Sequence, residues 1–439
     1  MVHWLEIIYF LLLLAAIWRC LYFWQLKEYR LDRFKAFLST SESGRYWLPG
    51  RHWFRPHLTI KILILSYLAI YFSIMVMQYF PQQRLAPIVA YLLVPLTAGL
   101  AVVLLQPITD LAIGFLVGLA WVKLRLWHRR LVVIGITGSY GKTSTKEILA
   151  HVLAIKFKVA KTQETINTLV GVAKTVLFKL NPADQIFVVE MGAYKIGEIR
   201  AMCRLVKPRI GILTGINQQH LALFGSQDQI IQAKSELLRA LPKTGLAVVN
   251  GTSPLARRSA GASQAQVKFY RQGQYQTNLI GQHQQLNIAA AVKVAQYLGV
   301  KTVDFTKLPQ FKTAITRSQG LNQATIINDS YNSNPDGFAA AIDLVSSLRF
   351  KKNFLLTSGI IELGREGDSV QRCLAVRAKP VFDKIFTTKA EASRLFGAKQ
   401  YGETELLKVF KKILTKNHLL LIEGRFSPKF IRQLCSNPS

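Results

Sequence analysis

The chain has 439 residues, room for two or three domains at roughly 150 residues each. Its 56 basic residues against 24 acidic ones leave a formal charge of +32, half the chain is hydrophobic, and the mean hydropathy is +0.21. That apolar content excludes a disordered chain, and an ordinary soluble enzyme is rarely so basic and so apolar together. Nucleic acid or an anionic membrane surface would account for the charge, and the apolar content favours the membrane. Cysteines at 20, 203, 373 and 435 have no CxxC spacing, which argues against a zinc ribbon, a dithiol redox site or a disulfide framework.

The apolar residues gather before about residue 125. Ile62 to Phe80 and Ala86 to Leu105 carry no charge, and each is near the ~20 residues that span a hydrocarbon core. Trp4 to Trp24 is a third candidate, with Glu6 and Arg19 close enough to its ends to snorkel. It lacks a basic leader and a small-residue cleavage site, so it reads as an uncleaved anchor. The stretch after it holds Lys27, Arg30, Arg33, Lys35, Arg45, Arg51 and Arg55 against Glu28, Asp32 and Glu42. The turn before the third span holds Arg84 alone, so the positive-inside rule puts the first loop, and the chain after three spans, in the cytoplasm. Pro107 to Val122 is short, contains Asp110 and runs into Lys123, Arg125, Arg129 and Arg130. It is expected to be an interfacial or re-entrant helix with its basic end on anionic lipid, since a fourth span would carry the rest away from ATP.

From Leu131 onward short β-rich runs alternate with helical stretches: LVVIGIT, IFVVE, RIGILT, GLAVVN, ATIIND, NFLLTS, KIFTT and HLLLIEG. The alternation predicts an α/β fold with parallel sheets. Residues 261–277 are polar and Gln-rich, and 301–318 have the look of a domain junction. The expected layout is a helical transmembrane or interfacial module at 1–130, a phosphate-loop domain at 131–312 and a Rossmann-like domain at 313–439.

Thr137-Gly138-Ser139-Tyr140-Gly141-Lys142-Thr143-Ser144 follows a strand and opens a helix, the setting of a phosphate-binding loop. Its glycines let backbone N–H groups approach phosphate oxygens, Lys142 reaches the β- and γ-phosphates, and the Thr143 hydroxyl suits Mg²⁺. Ile136 stands where the usual spacing has its first glycine.

This loop resembles that of the Mur ligase family. Further motifs follow in family order: Glu190-Met191-Gly192, Gly197-Glu198-Ile199, Thr214 to His220, Ala233-Lys234-Ser235-Glu236, Gly281-Gln282-His283 with Asn287, Arg317, and Asp329-Ser330-Tyr331-Asn332-Ser333-Asn334-Pro335. The set is most similar to the MurF type, over about residues 131 to 426. The resemblance implies an ADP-forming ligase that activates a carboxylate as an acyl phosphate for attack by an amine, with ATP and Mg²⁺ as cofactors. The product it implies is D-Ala-D-Ala joined to UDP-N-acetylmuramoyl-tripeptide for peptidoglycan, at the cytoplasmic face of a bacterial inner membrane. By the same resemblance Thr143, Glu190, His220 and a carbamylated Lys234 hold metal, and Lys142, His220, Lys234 and Arg317 serve catalysis. Gly138 to Ser144, Asn287, Arg317, Asp329, Tyr331 and Asn334 then hold the nucleotide.

Departures from the family pattern stand at Tyr140, Thr168, Gly215, Ile360, Gln371 and Glu423-Gly424-Arg425. Soluble members of the type begin with a small domain for the UDP-sugar, whose place is taken here by apolar segments. The acceptor is therefore either nucleotide- or lipid-linked, and a poly-γ-glutamate or capsule type of ligase is the alternative product class. A membrane transport ATPase gives no reason for His220, Lys234 and Asn287 in this order. No basic motif interleaved with aromatics points to nucleic acid.

Overall fold

The computed structural model describes the chain apart from residues 1, 39–45, 47–55, 80–85, 165, 218–223, 282, 301–303, 310–314, 331–334, 361–366 and 436–439. It divides into two compact units, Met1–Leu116 and Val117–Ser439.

The first unit holds helices α1 (Val2–Leu26), α2 (Leu31–Leu38), α3 (Ile60–Tyr79), α4 (Ala86–Leu92) and the start of α5 (Val94–Trp127). Among the described residues three helices are long and apolar enough to cross a membrane: Ile7–Leu26, Ile60–Tyr79 and Val94–Trp127. Ala16, Ala69, Ala98 and Ala101 lie in their shared core, where small side chains let helices approach closely. The hydroxyls of Ser66 and Ser73 donate to the carbonyls of Ile62 and Ala69, four residues back, so neither is left unpaired in an apolar setting.

Two expectations need correction. Ala86 to Leu105 is not one span, because the helix breaks at Leu93 and restarts at Val94. Pro95 has no N–H for the carbonyl four residues back, and it is tolerated in the first turn of the new helix. Nor is Pro107 to Val122 a separate interfacial or re-entrant helix. α5 runs 34 residues through Pro107 without ending. Gln106 bonds Asp110 at 2.8 Å and the Thr109 hydroxyl donates to the Leu105 carbonyl at 3.0 Å, so polar groups around the proline are satisfied inside the helix. At ~1.5 Å per residue α5 is about 51 Å long, well beyond the ~30 Å of a hydrocarbon core.

The second unit contains two sheets. The first has the order β2-β3-β1-β4-β5-β6 and is parallel throughout. Its strands are β1 (Val132–Thr137), β2 (Val159–Lys161), β3 (Ile186–Glu190), β4 (Ile210–Leu213), β5 (Leu246–Asn250) and β6 (Gln266–Tyr270). Between them run α6 (Lys142–Leu153), α7 (Leu169–Phe178), α8 (Glu198–Val206), α9 (Gln227–Arg239) and α10 (Pro254–Ser259), and α11 (His283–Tyr297) follows β6. Ile134, Ile136, Val188, Ile212 and Val248 are buried with α6 and α11 residues such as Ile148, Leu149, Ile288 and Val294. The second sheet has the order β11-β10-β9-β12-β8-β7, with β7 (Thr316–Gln319) antiparallel to β8 (Thr325–Asp329). Its other strands are β9 (Lys352–Thr357), β10 (Lys384–Thr387), β11 (Lys399–Gln400) and β12 (His418–Glu423).

The eight apolar runs read from the sequence are the interior strands of both sheets. The four strands not foreseen (β2, β6, β7 and β11) are the four edges. An edge strand is half exposed and needs no continuous apolar run, and so β6 lies within the polar 261–277 stretch and β7 in the expected junction.

Phe338 is fully buried in the second sheet's core and stacks on Phe396 at 5.9 Å between ring centroids. Phe338→Ala is expected to cost about 3–5 kcal/mol, read from denaturant unfolding of the detergent-solubilised chain. A change within about 0.5 kcal/mol, the range of a surface substitution, would contradict this packing.

Candidate active site at the ends of the central strands

β1, β3 and β4 lie side by side at the point where the strand order of the first sheet reverses, and their C-terminal ends make the crevice in which such sheets bind ligands. The loop after β1 crosses the end of β4. The Ser139 N–H donates to the Gly215 carbonyl at 2.7 Å, and the Asn217 N–H donates to the Ser139 hydroxyl at 3.1 Å. A Cβ on Gly138 would stand 2.0 Å from the Thr214 hydroxyl, and one on Gly141 would stand 2.6 Å from Asn287 Oδ1. Gly141 also has a φ of 72°, so glycine is required there twice over. Asn287, at the start of α11, accepts from the Thr145 hydroxyl at 3.2 Å and is thereby fixed against the phosphate-loop helix.

Two lysines converge on one carbonyl. Lys142 Nζ donates to the Gly138 carbonyl at 2.8 Å, and Lys234 Nζ, from α9, donates to the same oxygen at 3.1 Å. Burial lowers the pKa of Lys142, opposed by the charge of Glu190. Burial lowers that of Lys234 much further, and the neighbouring Lys142 charge adds to the effect.

Glu190 ends β3 almost fully buried. Its carboxylate accepts from Lys146 Nζ at 3.1 Å and from Asn167 Nδ2 at 3.3 Å. Gly192 makes room for that amide, since a Cβ there would meet Asn167 at 2.8 Å. Lys146 is fully buried and also donates to the Glu164 carbonyl. Sequence reading missed Lys146; the available signal was its place one turn after Lys142 on the same helix. Glu236 stands in a motif of the sequence but had no role assigned to it. That buried carboxylate accepts from the backbone N–H groups of Gly197 at 2.7 Å and Arg200 at 2.9 Å, at the N-terminus of α8. It thus ties the α9 turn that carries Lys234 to the motif after β3.

Lys142, Thr143, Glu190, Lys234 and Asn287 therefore gather at one edge of the first sheet, with Gly138 to Ser144 around them. Arg317 and Asp329 stand on the second sheet. Arg317 is on the edge strand β7, 5.9 Å from the Phe350 ring, and Asp329 ends β8 in register with the buried Glu423 of β12. Burial pushes the Asp329 carboxyl up to about 6, moderated by a hydrogen bond with Glu423. His220, Tyr331 and Asn334 lie outside the described residues. Among the described residues no cluster of three or more His, Cys, Asp or Glu could hold a metal by itself.

Several departures have structural reasons. The Tyr140 ring lies over Gly215, where a Cβ would stand 2.3 Å from Cζ and Oη, so the bulky residue and the glycine form a pair. Thr168 caps α7, its hydroxyl accepting from the Gly171 N–H at 3.3 Å. Gln371 accepts from the Ile360 N–H at 3.2 Å and is buried against Gly359.

Comparison with known proteins fits this geometry. Residues 136–274 match the family model of the Mur ligase middle domain. UDP-N-acetylmuramoyl-tripeptide–D-alanyl-D-alanine ligase of Bacillus subtilis (strain 168) is 29% identical over 352 residues, covering 70% of this chain and 76% of that relative. The enzymes of that name from a Synechocystis species and from Mycobacterium bovis are 30% and 29% identical over 290 and 293 residues, covering 59% and 56% of this chain. The chain spans 63% and 56% of those two, less than two thirds of either. MurF of Acinetobacter baumannii superimposes with a TM-score of 0.65 at 25% identity, covering 73% of this chain and 80% of that one. MurF of Thermotoga maritima, solved with ADP, gives 0.64 at 25%, covering 73% and 82%. A parallel phosphate-loop sheet followed by a second sheet with this order of motifs is similar to the Mur ligases, and the relatives and solved structures that match are of the MurF type.

Two outcomes test the site. Gly215→Ala is expected to weaken ADP binding about tenfold by displacing Tyr140, and adding Tyr140→Ala is expected to restore most of it, since contacting positions couple by about 0.5–3 kcal/mol. Additive losses by calorimetry would show that the two do not share space. Asp329 holds its proton more tightly folded than unfolded. Its contribution is therefore fully present below about pH 4 and is lost as pH rises through about 6. Thermal midpoints measured from pH 4 to 7 should fall less steeply for Asp329→Asn than for the unaltered chain, and equal slopes would refute the assignment.

Proposed function

We propose that the chain is a membrane-held, ATP-dependent ligase that joins D-Ala-D-Ala to UDP-N-acetylmuramoyl-tripeptide. On this reading residues 1–130 anchor it in the bacterial cytoplasmic membrane, 131–312 bind ATP, and 313–439 close over the nucleotide, with both catalytic domains on the cytoplasmic side. The names of the relatives support the substrates, and the three apolar helices support the anchor. The observation that carries the reading is the convergence of Lys142 and Lys234 on the Gly138 carbonyl beside Glu190.

The loop's N–H groups and Lys142 cradle the phosphates of ATP. The Thr143 hydroxyl and the Glu190 carboxylate are hard oxygen donors of the kind Mg²⁺ requires. A carboxylate has roughly four acceptor sites, and Lys146 and Asn167 use two. Bound Mg²⁺ would neutralise the charge that gathers as phosphate is transferred. The acceptor's carboxylate attacks the γ-phosphorus and ADP leaves. The amine of the incoming dipeptide then attacks the acyl phosphate, forming the amide as phosphate departs. Lys142 offsets negative charge at the transferred group throughout.

The depressed pKa of Lys234 keeps part of it as neutral amine, the form that adds to CO₂. Carbamylation would turn this buried cation into an oxygen ligand, and with His220 it would complete the donor set. Asn287 meets the base, Asp329 the ribose and Arg317 the γ-phosphate once the domains close, and Tyr331 and Asn334, outside the described residues, are assigned to the nucleotide by resemblance alone. A lipid-linked tripeptide is the alternative acceptor, and a poly-γ-glutamate or capsule type of product is the alternative chemistry.

The test is product formation by the detergent-purified chain with Mg-ATP, UDP-N-acetylmuramoyl-tripeptide and D-Ala-D-Ala, read by mass spectrometry. A dipeptide adduct with ADP release is expected. ADP release with glutamate or a lipid-linked acceptor alone would overturn the substrate. Lys142→Ala and Lys234→Ala should each lower turnover by at least about 100-fold, and full turnover in either would contradict the mechanism.

A further inference from the structure

Strands of the first sheet begin at one edge and deliver the active site to the other. The turns at the two edges differ in charge. The turn into β1 carries Arg129 and Arg130, that into β2 Lys156 and Lys158, and that into β4 Lys207 and Arg209. Lys179 and Lys243 stand in the turns into β3 and β5, and the one acidic residue in all these turns is Asp184. All eight basic side chains are exposed, although Lys156 also donates to the carbonyls of Leu298 and Gly299. At the opposite edge the connections leaving the strands carry Lys195 and Arg271 against Glu164.

The basic edge is also where the end of α5 joins the sheet. Lys123 donates to the carbonyls of Leu177 at 2.9 Å and Leu180 at 3.0 Å, at the C-terminal end of α7. Trp127 (65% exposed) and Phe178 (72% exposed) are both turned to solvent, and the Arg125 guanidinium lies 5.1 Å over the Trp121 ring. Exposed aromatics and cations at the foot of an apolar helix are the composition of a membrane–water boundary.

We infer that the N-terminal edge of the first sheet rests on an anionic bilayer surface, with Phe178 and Trp127 in the headgroup layer and the basic turns on lipid phosphates. The inference rests on the membrane reading of α1, α3 and α5. It deepens that reading by assigning a second lipid contact to the catalytic domain itself. The active site then opens away from the lipid, about 20 Å along the six residues of β1. The contact is electrostatic over much of its area, so it weakens with salt and with loss of anionic lipid.

The test uses the full chain with Cys373→Ser and Cys435→Ser, reconstituted in vesicles of phosphatidylcholine with or without phosphatidylglycerol. Phe178→Cys and, at the opposite edge, Gln272→Cys are labelled with an environment-sensitive fluorophore and quenched by spin-labelled lipid. Quenching at 178, none at 272, and loss of quenching at 178 in pure phosphatidylcholine or on combining Lys156→Glu, Lys158→Glu and Lys179→Glu are expected. Retention of the chain after alkaline carbonate with equal quenching at both positions would overturn the inference and leave the anchor standing. Release of the chain by carbonate would overturn the anchor and the inference together.

Discussion

The Gly138 carbonyl accepts hydrogen bonds from two lysines, and the organisation of the first sheet's site follows from holding those two charges together. Bringing two ammonium groups to one oxygen in a buried place is unfavourable unless anionic groups or an ionisation change compensate. The chain supplies both kinds of compensation. Glu190 lies close enough to raise Lys142 in part, while Lys234 is displaced toward its neutral form. Glu190 is itself paired with Lys146 at 3.1 Å, whereas the Lys142 and Lys234 ammonium groups are held by the Gly138 carbonyl. One carboxylate among three lysines leaves an excess of positive charge, which favours a polyanionic ligand such as a phosphate chain.

Departures from a family pattern read differently once neighbours are known. Tyr140 and Gly215 are two exceptions in sequence but one steric arrangement in space. Thr168 serves as a helix cap. Gln371 holds a backbone N–H. Glu423 is the exception with electrostatic consequences. A buried carboxyl in register with Asp329 leaves two acids side by side, and burial raises Asp329. The departures in the phosphate-loop half are thus packed or hydrogen-bonded in place, whereas the one in the second sheet sets two acids at adjacent strand ends.

The two edges of the first sheet show how topology sorts charge. In a parallel sheet every strand enters from the same side, so the composition of five short turns becomes the composition of one surface. Dispersed through the sequence, those lysines and arginines look like the background of a chain with 56 basic residues. Gathered at one edge beside an apolar helix, they form a surface with a direction, and the phosphate loop lies on the other side of the sheet by construction.

The interior strands were legible in the sequence because burial on both faces demands near-continuous apolar runs, which IFVVE and HLLLIEG display. The phosphate loop was legible because Gly138, Gly141 and Lys142 act through adjacent backbone and a helix start, all local in the chain. The edge strands were not, since exposure on one side removes the pattern. The uninterrupted course of α5 was not, since proline bends a long helix more readily than sequence alone reveals where it stops. The roles of Lys146 and Glu236 were not legible for a further reason. Their importance lies in which distant group each one meets, and a buried charge is recognisable as such only when the fold has removed its water. Sequence by itself determined the class of fold, the strand–loop–helix setting of the glycine-rich loop and the apolar segments, because these depend on local geometry and on composition. Tertiary structure decided which lysine faces which carbonyl, which substitutions compensate one another and which edge of the sheet is basic, because those depend on contacts between residues far apart in the chain.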